Sequence, residues 1–187
     1  MTVATMLWRL GIAAILATGL AAPALAQANE PGCRPEMASY RLPVQRVNLA
    51  KDEVRLTFVG HATFLIESPG GVTVATDYND YVRPGVTPTI ATMNRAHSTH
   101  YTLHPDPGIA HVLHGWGEGG QPARHSKMIG DVLIRNVTTD IRAFRFDSEA
   151  LQKDGNSIFI FEVAGLCIGH LGHLHHPLDE TRYAAIG

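Results

Sequence analysis

The sequence predicts an α/β layered sandwich, on three observations. Short runs of strand character come in pairs joined by turn signals, a polar histidine-bearing loop interrupts them, and a helix start follows only near the end. Residues 54–59, Val54-Arg55-Leu56-Thr57-Phe58-Val59, alternate apolar with polar side chains, as a half-buried strand does. Gly60-His61 breaks the run, and residues 62–67 bring a second strand through Phe64, Leu65 and Ile66. Pro69-Gly70-Gly71 signals a tight turn, and residues 72–76 return as a third strand ending on Asp77. Residues 78–104, rich in Pro, Thr, Asn and His, read as a loop of the kind that carries a site on a rigid scaffold. A short apolar stretch at 109–113 leads to Gly115-Trp116-Gly117 and a glycine-rich loop. Residues 131–137 alternate less regularly, whereas 158–163 and 166–168 make a hairpin across Ala164-Gly165. Residues 179–186 begin a helix, with Asp179 as its N-cap.

A chain of 187 residues, 45% of them hydrophobic, has room for one globular domain of ordinary composition. Its 15 basic and 17 acidic side chains give a formal net charge of −2 with no long charge run. Nothing in that pattern points to nucleic acid or an anionic membrane, and the expected partner is a small-molecule substrate. Arg9 is the only charge in the first 26 residues, and an apolar run from Gly11 ends on Ala24-Leu25-Ala26. That small-x-small ending is a signal-peptidase site, and the run is shorter than the ~20 residues of a spanning helix. The chain is therefore divided into a signal peptide at 1–26, an irregular leader at 27–52 and a domain at 53–187, with the mature protein periplasmic or secreted and without a stable membrane anchor. In an oxidising compartment Cys33 and Cys167 can pair; a flexible thiol and a buried one are the other reading.

The unusual count is histidine: 11 in all, four of them within 170–176. Histidine is the commonest metal ligand, so a surplus in one short stretch points to a metal. Three blocks carry a family resemblance. Gly60-His61-Ala62-Thr63-Phe64-Leu65-Ile66-Glu67 is similar to the first hairpin of ascorbate-phosphate-lactonase-like members of the metallo-β-lactamase superfamily. Arg95-Ala96-His97-Ser98-Thr99-His100 occupies the place of that superfamily's His-x-His-x-Asp-His motif. Asn156 to Glu162, followed by Gly165 to Gly172, resembles the segment that leads to the metal-bridging aspartate. The resemblance implies an αββα sandwich with one or two metal ions, usually zinc. It also implies a second αβ half after residue 187, so the sandwich is expected to be incomplete in this chain.

The departures matter as much as the matches. Against the motif, the first histidine is Arg95, the aspartate is Thr99, and only His97 and His100 are kept. The third histidine of the first metal site falls near Ile141, and the bridging aspartate is His173. An imidazole binds one metal through one nitrogen, and an arginine adds a permanent positive charge that opposes a dication. One zinc is therefore expected in place of two, held by His97, His100 and His173, with His170 as a further candidate ligand. Asp77 either orients an imidazole or caps a turn. His61 is expected to hold its turn, and His104, His111, His114 and His125 to lie outside the site. The implied activity is an exported hydrolase that uses a zinc-activated water on an ester, lactone, amide or phosphoester. A relative of the same fold that binds a metal or ligand without catalysis, and an inactive fragment, are the alternatives.

Overall fold

A computed structural model describes residues 49–119, 121–142 and 151–187. The expected signal peptide, nearly all of the expected leader and Cys33 lie outside these residues. Two sheets make up the domain. The first has the spatial order β1 (Arg55–Gly60), β2 (Thr63–Glu67), β3 (Thr73–Ala75), β4 (Ile90–Met93) and β5 (His111–His114). Its first three strands run antiparallel, and β3, β4 and β5 run parallel. The second sheet is a meander of β6 (Ser126–Ile129), β7 (Val132–Arg142), β8 (Leu151–Val163) and β9 (Leu166–His170), antiparallel throughout. One helix, α1 (Glu180–Ile186), follows.

The two-residue period of a strand explains how the layers pack. Ile66, Val74, Ile90 and Leu113 of the first sheet meet Val132, Ile134, Phe159, Phe161 and Val163 of the second in one buried cluster. The alternate residues Ala75, Ala91 and Met93 face the other way, under Tyr78, Ile109 and Trp116. The outer face of the second sheet, at Val137, Ile158 and Ile160, packs on Leu178 and Ile186 at α1. The two β layers of the expected sandwich are thus in place. Among the described residues α1 is the one helix, and chain segments outside regular elements cover the outer face of the first sheet.

Three differences from the sequence reading have physical causes. Residues 78–104 are not loop throughout, because Ile90–Met93 forms β4 with all four residues buried. An interior parallel strand is covered on both faces and shows no alternation. Ser126–Ile129 forms β6, an exposed edge strand whose apolar content is too low to mark it. The seventh strand continues to Arg142 through Thr138, Thr139 and Asp140, polar residues that broke the apparent pattern. The helix starts where expected: the Asp179 carboxylate accepts from the Arg182 amide at 2.7 Å.

The sheets are clasped at their turns. The Asp131 carboxylate, at the β6–β7 turn, accepts from the Ser68 hydroxyl at 2.6 Å and the Gly70 amide at 2.7 Å. Burial alone raises the Asp131 pKa, but those two donors together with its own backbone amide outweigh it and hold the carboxyl below its usual value.

Candidate metal centre

The carboxyl ends of the parallel strands converge on one crevice, as they do in open α/β sheets generally. The third strand ends at Asp77, the fourth runs into residues 94–100, and the fifth runs into Gly115 and Trp116. Asp77 is fully buried, yet both its carboxylate oxygens are used. The Asn94 side-chain amide donates to one at 3.0 Å, and His100 Nδ1 lies 2.5 Å from the other. The loop that delivers His100 is closed by its own backbone: the Asn94 amide donates to the His100 carbonyl at 3.0 Å, and the His100 amide to the His97 carbonyl at 2.9 Å. Asp77 therefore orients an imidazole. With Nδ1–H given to the carboxylate, the Nε2 lone pair of His100 faces outward.

His173 meets it. Its Nδ1 lies 3.2 Å from His100 Nε2, and its backbone amide donates to Asn156 Oδ1 at 2.7 Å. Gly172 makes this approach feasible, since φ is +61° and an added Cβ would lie 2.2 Å from Asn94 Nδ2. The sequence assigns no role to Asn94, which adjoins the Arg95–His100 block, or to Asn156, which opens the third block. Both are fully buried, and polar side chains there must be paired. Asn94 Oδ1 accepts from the Ser157 amide at 2.8 Å, and Asn156 Nδ2 donates to Thr139 Oγ1 at 2.8 Å. The first bond ties the end of the fourth strand to the eighth, and the second ties the eighth to the seventh, beneath the histidines.

Around that pair, the His97 ring lies 4.6 Å from His173 and 6.0 Å from His100, centre to centre. The His175 ring is 4.3 Å from His173. Burial, then the neighbouring charges of His175, His100 and His97, push the His173 pKa down to about 4. Burial, then Arg142, also lowers His175. Both are neutral imidazoles near pH 7, the form that binds a metal.

Three of the four expected ligands are brought together, and His170 is not among them. His170 Nε2 lies 2.9 Å from the Ala62 carbonyl, so this ring joins the ninth strand to the β1–β2 turn. His61, at φ +51° in that turn, has its ring 5.1 Å from His100. His114 stacks on Trp116 with centres 4.3 Å apart, and His125 Nε2 lies 2.7 Å from the His114 carbonyl. Ile141 is a fully buried residue of the seventh strand.

The fit to an ion can be tested on this geometry. Two nitrogens each about 2.05 Å from a tetrahedral zinc stand roughly 3.3 Å apart, and His100 Nε2 and His173 Nδ1 are 3.2 Å apart. Among the described residues no three donors converge on one point. The donor types and one pairwise spacing fit a zinc ion, and His97 and His175 are the further imidazoles nearest that pair among the described residues.

Residues 55–187 match a family model described as the beta-lactamase superfamily domain. Among solved structures, the chain is similar to a candidate Zn-dependent hydrolase of the metallo-β-lactamase superfamily from Thermotoga maritima, at 27% identity and a TM-score of 0.48. That match covers 72% of this chain and 57% of the other. A candidate metal-dependent hydrolase from Parabacteroides distasonis ATCC 8503 matches at 12% identity and a TM-score of 0.48, covering 64% of this chain and 60% of that one. The chain thus spans less than two thirds of the length of either. No curated protein matches.

Proposed function

This chain belongs to the metallo-β-lactamase superfamily, and from that premise we propose a metal-dependent hydrolase working with one zinc at His97, His100 and His173. The observation that carries the reading is the Asp77–His100–His173 series, 2.5 Å and then 3.2 Å between partners, on a buried amide framework. When bound, zinc lowers the pKa of a coordinated water toward ~7 and so provides hydroxide at neutral pH. The chain's own residues do the rest. Asp77 fixes the His100 tautomer and raises the basicity of Nε2. Asn94 holds Asp77, and Asn156 holds the backbone of His173. The cationic Arg95 and the apolar Ile141 weigh against a second ion. The bond cleaved is an ester, lactone, amide or phosphoester, and the signal-like residues 1–26 support work in the periplasm or outside the cell.

Elemental analysis of the purified full chain tests this, with about one zinc per chain expected. Replacing His100 or His173 by Ala should lower zinc affinity well over tenfold, since each removes a ligand, while His125→Ala should leave it unchanged. Two metals per chain, or undiminished affinity in His173→Ala, would refute the assignment. The absence of three convergent donors among the described residues favours a second reading, a relative that binds metal without hydrolysis. A zinc-loaded chain that turns over neither esters nor phosphodiesters would establish that reading instead.

A further inference from the structure

On one flank of the domain the outermost strands are β1 of the first sheet and β9 of the second, and apolar side chains stand exposed there. Leu56 is paired with Ile66 and Phe58 with Phe64 across the β1–β2 ladder, and paired residues share a face. Ile66 belongs to the apolar cluster between the sheets, so all four point toward the second sheet. Ile66 is buried, whereas Phe64, Leu56 and Phe58 are 36%, 54% and 62% exposed. The gradient has a geometric cause. β9 reaches as far as Phe64, whose ring lies 6.3 Å from that of His170. β1 overhangs it, with the Phe58 ring against Phe64 at 5.3 Å and largely exposed beyond that contact.

The chain outside the described residues is tied to this flank at two points. At one end, residue 49 leads directly into β1. At the other, Cys167 of β9 is disulfide-bonded, and Cys33 is the chain's only other cysteine, so the bond fixes Cys33 to β9. Cys167 packs with Val137, Ile158 and Ile160 on the outer face of the second sheet. The shortest path from that face to the start of β1 passes the free edge of β9 and then the overhang of β1. Residues 34–48, at up to ~3.4 Å each, can span far more than the ~10 Å between packed sheets. They have the length to run along the overhang. Tyr40, Leu42 and Val44 stand at alternate places, the period that puts three apolar side chains on one side of an extended chain. Pro43 between them has no amide to donate, which suits a segment at a sheet edge.

We propose that residues 34–48 are a strap over this flank, packing Tyr40, Leu42 and Val44 on Leu56, Phe58 and Phe64. The strap is held at one end by the Cys33–Cys167 bond and at the other by β1. A disulfide persists in an oxidising compartment and is lost in a reducing one. The apolar flank is therefore covered in the oxidised chain and open in the reduced one.

The test is NMR of the full chain, oxidised and then reduced with dithiothreitol. The reagent gives two electrons and two protons to the Cys33–Cys167 bond and closes to its own cyclic disulfide. The oxidised chain should show nuclear Overhauser contacts from the Leu42 and Val44 methyls to the Phe58 ring. The amides of Tyr40, Leu42 and Val44 should exchange roughly tenfold slower in it than in the reduced chain. Leu42→Ser combined with Val44→Ser keeps the disulfide and removes only the apolar contact, which separates the strap from any effect of reduction on folding. That variant should bind anilinonaphthalene sulfonate, a dye that reports exposed apolar surface, severalfold more than wild type. Absence of the contacts in the oxidised chain, dye binding unchanged in the variant, or a concentration-dependent dimer that shields Phe58 instead would overturn the proposal.

Discussion

Asp77 shows what one residue contributes and how far it can be read ahead. A carboxylate at a strand end before a histidine loop has two ordinary uses, and only the 2.5 Å approach of His100 decides between them. Asp77→Asn keeps the shape but offers a weaker acceptor to Nδ1. Zinc affinity should fall roughly tenfold to a hundredfold, as for other partners of ligand histidines. A competition titration with a chromophoric chelator measures this, and equal affinity would reduce Asp77 to a turn residue. Asp131 makes a second prediction, about pH. Its pKa is lowered in the folded chain, so it favours folding most above its unfolded value of 3.8, and that contribution is lost as pH falls through the lower folded value. Urea unfolding should find Asp131→Ala less stable than wild type at pH 7, with the gap narrowing below pH 3.8. A gap that widens on acidification would contradict the clasp.

At the scale of elements, strands with alternating or strongly apolar sequences were legible, and those set by context were not. The second and eighth strands carry their pattern in Leu65, Ile66 and Phe159, whereas the first forms where its alternation predicts but leaves Leu56 and Phe58 exposed instead of half-buried. The fourth shows no pattern because both its faces are covered, although it places the loop that ends in His100. The histidines were visible as a cluster, but their sorting was not. Whether His170 faces the crevice or the Ala62 carbonyl depends on strand register and on the turn at Gly172. That glycine allows a direct test. Gly172→Ala puts a methyl in a left-handed backbone position and 2.2 Å from Asn94 Nδ2. The variant should lose more than ~1 kcal/mol in chemical denaturation, the penalty for a strained Cβ. It should also bind zinc less tightly, since His173 is displaced. Phe161→Ala, in the core between the sheets, should cost about 3–5 kcal/mol by the same measurement and leave zinc stoichiometry unchanged.

For the whole molecule, the two-layer arrangement follows from pairing amphipathic sheets over a shared apolar interior, with Ile66, Val74 and Ile90 facing Ile134, Phe159 and Phe161. Where the protein works is a separate matter, carried by the N-terminal residues and by sulfur chemistry. Cys167 is disulfide-bonded, and the chain's only other cysteine, Cys33, lies outside the described residues. A structural disulfide persists in an oxidising compartment and is rarely kept in a reducing cytosol. Arg9, the apolar run and Ala24-Leu25-Ala26 resemble an export signal, and on both grounds we propose that the protein is exported. Processing should therefore occur after Ala26. Mass spectrometry of the exported protein should find Gln27 at the N-terminus, with a mass two hydrogens lower before reduction than after it. Met1 retained on membrane-bound protein would defeat the export assignment, and two free thiols on the exported chain would remove its support from the disulfide.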